Sequence, residues 1–292
     1  MKNMETNYSW WFYKSVLNRQ YNRADEEKLF PLIGVQGWAK YKIWGEPNTN
    51  YLRITDPLPG RELHRLKLMT IYPGLVLGTG YAHPIRWESK KGGRNPSDYQ
   101  MGFFFDHTTG LPVLPGSSVK GVLRSVFPQA VDEDDVTAGK QEYIAQALDL
   151  QPADIDSNLQ TALFHRRHVF HDAFVSAVAE NAFSHTHQAG NGASSAPNER
   201  RLFMEDYLTP HGEDRFKEPK PLRFLKVAPG VTFTFTFQLD KTVLSSIGMK
   251  AEQILPLFTT ILCDFGIGAK RNYGYGHFKH PDARLRTQIG QE

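Results

Sequence analysis

Residues 229–239, PGVTFTFTFQL, alternate strictly between two kinds of side chain. Val231, Phe233, Phe235, Phe237 and Leu239 share one parity, and Thr232, Thr234, Thr236 and Gln238 the other. Successive side chains of an extended chain point to opposite faces, so only a strand gathers these large apolar groups on one side. The pattern predicts a half-buried antiparallel strand, apolar on one face and polar on the other.

The next segment narrows the choice further. Ile254, Leu255, Leu257, Phe258, Ile261, Leu262 and Phe265 give residues 250–264 a broad apolar helical stripe. Pro256 lies within it, so the helix either starts there or bends. Gly266 stands where a C-terminal cap belongs, and YGYGHFK, 273–279, reads as a last strand.

Upstream, LHRLKLMTIYPGLVLGTGYA, 63–82, reads as a strand broken at Pro73-Gly74, and MGFFFD, 101–106, as a short buried strand. GLPVLPGSSVKGVLRSVFP, 110–128, changes period: Val119, Val122, Leu123 and Val126 lie on one helical face. Gly110, Pro112, Pro115 and Gly116 are turn residues, Ser117 or Ser118 suits the helix N-cap, and Pro128 ends it. About 132–219 is less regular, with RHVFHDAF and RLFMEDYLTPH as strand ends flanking a polar loop, HQAGNGASSAPNE.

The order strand, helix, irregular strands, strand, helix, strand predicts an α+β, ferredoxin-like fold: an antiparallel sheet with helices on one face and large insertions. The expected division is an N-terminal extension over 1–62, a core over 63–280 with insertions at about 85–100 and 132–220, and a tail over 281–292. With 40% apolar and 22% charged residues, 292 residues suffice for a packed core. The net charge of +3 is too small for the whole molecule to attract nucleic acid, so any basic surface must be local. Cys263 is the only cysteine, which excludes an intramolecular disulfide and points to a reducing compartment. MKNMETNYSWWFYKS lacks the features of a signal peptide, and no run of about eighteen apolar residues offers a membrane span. A cytoplasmic protein without membrane contact is expected.

Two bends are candidates for binding chemistry. GIGAKRNYGYG, 266–276, sets Lys270, Arg271, Asn272, Tyr273 and Tyr275 among Gly266, Gly268, Gly274 and Gly276. Glycines permit positive φ and close approach, consecutive amides attract anions, cations add charge, and tyrosines offer stacking faces. That set suits an RNA backbone with adjacent bases; the alternative is a tight connection whose glycines fit between packed elements. PGSSVKGVLR offers the second bend. Gly116, Ser117 and Ser118 stand at a helix N-terminus, where free amides and the dipole favour anions, and Lys120 and Arg124 share a face; the alternative is an ordinary capped helix with a solvated basic face. It is not a nucleotide-binding P-loop, because Lys120 is followed by Gly121 rather than Ser or Thr. His165, His168 and His171 in HRRHVFHD would converge on a metal only from a helix, and the surrounding residues favour a strand. No metal or cofactor is expected, and no nucleophile elbow or zinc-protease helix occurs.

Five stretches in order, GLPVLPGSSVKGVLR, VFHDAF, MEDYLTPH, PLRFLKVAPGVTFTFTFQL and DFGIGAKRNYGYGHF, resemble the RAMP proteins of type III-B CRISPR effector complexes. The resemblance covers about residues 75–278. It implies a modified RNA-recognition fold and a non-catalytic, antiviral role beside other RAMP subunits, with guide RNA bound toward its 3′ part and target RNA paired to it. It also implies that target cleavage belongs to another subunit, and that Asp172 is structural, its carboxylate capping a turn. Arg271 stands where the family usually has threonine, and the polar stretch about Gly190 matches a variable insertion that could wedge into the guide–target duplex. Two alternatives remain. One is a metal-independent endoribonuclease for CRISPR repeat RNA, using His83, His168, His171 or His277. The other is a protein scaffold meeting partners through the polar face of residues 232–238 or the aromatic N-terminus.

Overall fold

The computed structural model describes residues 57–80, 101–107, 109–179, 202–208 and 222–281. The N-terminal extension up to residue 56, the 85–100 insertion, the polar loop about Gly190, His83, and the tail from 282 onward lie outside the described residues.

Strand β1 (Arg61–Thr70) is followed by β2 (Val113–Leu114), helices α1 (Gly116–Ser125), α2 (Asp134–Leu148) and α3 (Ser157–His165), and strands β3 (Val169–Phe170) and β4 (Ala173–Val178). Then come β5 (Phe203–Leu208), β6 (Leu222–Val227), β7 (Val231–Asp240), α4 (Lys241–Ser246), α5 (Ala251–Asp264) and β8 (Phe278–Lys279). The main sheet is antiparallel in the order β2-β4-β7-β1-β8, with β3 also on β7. β5 and β6 form a separate antiparallel pair, tied to the rest by a bridge between Leu75 and Val227.

β7 is the strand its alternation predicts, and it holds the centre. Phe237 packs against Phe258 of α5 at 5.4 Å between ring centroids, and Phe258 faces Phe164 of α3. Val119 and Leu123 of α1 join the same core. The polar parity corrects the expectation of a half-wet strand: Thr232, Thr236 and Gln238 are buried too. The face proposed for scaffold contacts is therefore covered at those three residues. Gln238 is satisfied there by the Leu58 amide at 2.8 Å, which donates to its Oε1. At the far end of the strand, the Thr70 hydroxyl donates to the Ala228 carbonyl and accepts the Val231 amide.

Other expectations change as well. MGFFFD is not a strand; Phe105 only bridges Pro112, although Phe103 and Phe105 are buried. The last strand is Phe278–Lys279, shorter than YGYGHFK, and residues 271–273 form a 3-10 turn. Pro256 lies inside α5, which runs on through it from Ala251. The irregular middle holds two helices, α2 and α3, and its β4 is a strand of the main sheet rather than part of an insertion.

Candidate nucleic-acid interface

The α1 bend is built differently from a serine-capped helix. Pro115 is the N-cap residue and makes no side-chain bond, while Ser117 and Ser118 already lie in the first turn. The cap comes from across the sheet: Asp172 Oδ1 accepts the Gly116 amide at 2.7 Å. A carboxylate there satisfies an orphan donor and complements the positive helix end. Gly116 is required because a Cβ would stand 2.1 Å from the Phe170 carbonyl oxygen. The Ser118 and Val119 amides donate to the Pro115 carbonyl. The Gly116 amide is thus unavailable to a ligand, and the bend presents the exposed Ser117 and Ser118.

The 266–276 loop is a second packed bend. Gly266, Gly268, Gly274 and Gly276 all have positive φ, and so does Lys270 at 60°. A Cβ on Gly276 would stand 2.1 Å from the Ile267 carbonyl oxygen, and one on Gly268 2.4 Å from that of Val76. The amides are spent within the fold: Ile267 donates to Gly276, Ala269 to Val76, Tyr273 to Lys270, Gly274 to Arg271 and Gly276 to Gly74. The glycines therefore permit close backbone packing, and those amides do not form an anion nest. Arg271, Asn272 and Tyr273 are exposed at the tip and Lys270 is half-buried. The Arg271 guanidinium donates to the Phe265 carbonyl at 3.3 Å, and the Lys270 ammonium lies 5.9 Å from the Tyr273 ring centroid.

The two bends meet. An open groove of about 600 Å³ is lined by Ser117 and Ser118 of the α1 bend and by Gly268 and Arg271 of the loop. Its lining includes Gly78 and Thr79, which sequence reasoning missed. The signal was present as Gly78-Thr79-Gly80: Gly78 has a φ of 75°, and a Cβ there would lie 2.3 Å from the Phe104 amide nitrogen. Lys120 and Arg124 do not line the groove. The Lys120 ammonium lies 5.8 Å from the Phe170 ring centroid, and Arg124 is exposed one turn further along α1.

Tyr275 is the anchor of the loop rather than a stacking face. It is buried, and its hydroxyl donates to Asp206 Oδ2 of β5 at 2.7 Å. The same oxygen takes the buried Lys226 ammonium of β6, which lies 5.4 Å from the Tyr275 ring centroid. Burial works to raise the Asp206 carboxyl, but Lys226, Tyr275 and the Tyr207 amide outweigh it and hold it below the usual carboxylate range. Burial, and then the Asp206 charge, push the Tyr275 hydroxyl well above the ordinary phenol range. Each partner thereby keeps the form its bond requires.

The histidines are engaged elsewhere. His168 Nδ1 accepts the Asp240 amide at 2.8 Å, His171 Nε2 meets the Gln238 amide nitrogen at 3.0 Å, and His277 Nδ1 lies 3.2 Å from the Cys263 carbonyl oxygen. Asp240 pairs with Arg167 at 3.1 Å and caps α4 through the Thr242 and Val243 amides.

Known proteins resemble this chain over much of its length. The model of the RAMP superfamily matches residues 67–279. The CRISPR system CMR subunit Cmr6 of Saccharolobus solfataricus is 24% identical over 189 residues, 62% of this chain and 49% of that protein. The match thus spans about half the length of that curated relative. Among solved structures, a chain of the type III-B Cmr-beta complex bound to cognate target RNA aligns over 94% of both chains, with 16% identity and a TM-score of 0.45. The crystal structure of Cmr6 from Pyrococcus furiosus aligns over 75% of this chain and 99% of its own, with 19% identity and a TM-score of 0.40.

Proposed function

The chain belongs to the RAMP superfamily, and from that premise we propose that it is a non-catalytic RNA-binding subunit of a type III-B Cmr complex. In this reading it holds the guide-RNA backbone toward its 3′ part and the guide–target duplex beside it, among other RAMP subunits, in antiviral defence. The observation that carries the proposal is the convergence of the α1 bend and the 266–276 loop on one groove, whose lining includes Ser117, Ser118 and Arg271. The strand order β4-β7-β1-β8, with α1 between β1 and β4 and α5 between β7 and β8, supports reading the core as the ferredoxin-like plan.

Ser117, Ser118 and Arg271 offer hydrogen bonds to phosphate oxygens, and Lys270, Lys120 and Arg124 add positive potential around them. None of these groups reads a base edge, so sequence would be read by guide–target pairing and affinity would depend on salt. The test is filter binding of the full chain and its Lys270→Ala/Arg271→Ala variant to single-stranded RNA over a salt series. Removing two phosphate contacts is expected to lower the log–log salt slope by about 1.4. An unchanged slope excludes the loop from the interface. Incubation with CRISPR repeat RNA tests the non-catalytic part: metal-independent cleavage abolished by a histidine substitution would replace it with the endoribonuclease reading.

A further inference from the structure

Two large rings stand beside the glycine-rich loop with most of their surface in solvent: Tyr72 is 66% exposed and Tyr273 is 69% exposed. They belong to adjoining turns, because a Cβ on Gly274 would meet the Pro73 ring at 3.5 Å. Both turns are fixed by main-chain bonds. The Ile71 amide donates to His277 and the Gly74 amide to Ile71, while the Tyr273 amide donates to Lys270. Each ring has an ammonium near it, Lys226 at 6.0 Å from the Tyr72 centroid and Lys270 at 5.9 Å from that of Tyr273. Lys226 is held in turn by the buried pair with Asp206.

An exposed aromatic ring on a fixed turn gains by covering its surface with another flat π-system, and little side-chain entropy remains to oppose it. A base inside a duplex already has both faces stacked, whereas an unpaired base offers its face. The Lys270 charge beside Tyr273 favours a ligand whose backbone is anionic, whereas Lys226 beside Tyr72 is neutralised by Asp206 and serves to hold that side of the turn. We propose that Tyr72 and Tyr273 form a stacking platform for unpaired bases of a single-stranded RNA whose phosphates run along Arg271 and the α1 bend. This rests on the RNA-binding reading above and adds to it the kind of strand the site selects.

The test measures affinity of the full chain for a single-stranded oligouridylate, for the same strand with abasic sites, and for an RNA duplex, each over a salt series. Tyr72→Ala and Tyr273→Ala are each expected to weaken oligouridylate binding about tenfold, as loss of one base–ring stack does. Tyr72→Phe and Tyr273→Phe should restore it. The salt slope should stay constant across all four, because stacking releases no counterions. The abasic strand should bind the wild type and the alanine variants equally. Equal wild-type affinity for all three RNAs, with a normal salt slope, would overturn the platform and leave backbone binding standing. A wild type with no salt-dependent RNA binding would overturn both. Alanine variants that keep RNA affinity but fail to join a purified protein subunit would assign the rings to a protein interface and overturn the platform.

Discussion

Asp172 Oδ1 accepts the amide proton of Gly116 at 2.7 Å, across 56 residues of sequence. One bond joins the connection between β3 and β4 to the start of α1, and so fixes where Ser117 and Ser118 present their hydroxyls. Asp172→Ala leaves a buried donor without a partner and is expected to cost about 1–3 kcal/mol of stability. Asp172→Asn, which keeps a carbonyl acceptor, should cost less. Urea unfolding midpoints read both, and an unchanged midpoint for Asp172→Ala would remove the bond from the account of stability.

Two glycines should respond in opposite directions. Gly121 lies in the middle of α1, exposed, with nothing within 4 Å of a built Cβ. Gly121→Ala is expected to stabilise the protein by about 0.5–1 kcal/mol through helix propensity. Gly276 has a φ of 81° and the Ile267 carbonyl oxygen 2.1 Å from a Cβ, so Gly276→Ala combines backbone strain with a clash against main chain. The expected loss is more than about 2 kcal/mol, measurable by thermal melting. A Gly276→Ala protein as stable as the wild type would show that the loop is not packed as described.

Stability should fall on mild acidification. Burial lowers the basicity of His168, with the nearby Asp240 charge opposing and Arg61 adding to the effect; burial likewise lowers His171, opposed by Asp172. Above the ordinary histidine range near about 6.5 both rings are neutral, folded or unfolded, and no penalty applies. Below it the unfolded chain takes up protons that the fold refuses, so stability drops until the pH reaches the depressed folded values. Urea midpoints should therefore be lower at about pH 5.5 than at about pH 7, with a smaller difference in His168→Asn. Equal pH dependence in that variant would exclude His168 as a source.

The central strand and the two crossing helices are legible in the sequence because their apolar spacing is strong. Val231 to Leu239 alternate, Val119 to Val126 keep one helical face, and α5 is apolar along much of its length. α2 is illegible because its buried residues, Ile144, Ala145 and Leu148, occupy only its last turns. Alternation also says which side chains share a face, not whether that face is wet; Thr232 and Gln238 are buried although polar. In the site, composition points to two bends that do meet at one groove, but not to how their groups are used. Glycine counts do not distinguish a free amide from one already bonded, and Asp172 lies too far along the chain to be seen as the cap of α1. The sequence offers Tyr275 as a stacking face, and the structure encloses it for a similar reason. The Asp206 and Lys226 pair and Phe224, all contributed by a separate hairpin, enclose that ring, and no local spacing announces them.

β7 is the common partner of β1, β3 and β4, and it is among the last strands of the core to be translated. The Leu58 amide waits for the side chain of Gln238, 180 residues later. At about 5–20 residues per second, a ribosome needs on the order of ten to forty seconds to bridge that gap. β1 spends that whole interval without the strand that covers it, whereas β3 and β4 are made late enough to share only its last part, so the first strand of the sheet is the one exposed longest during synthesis.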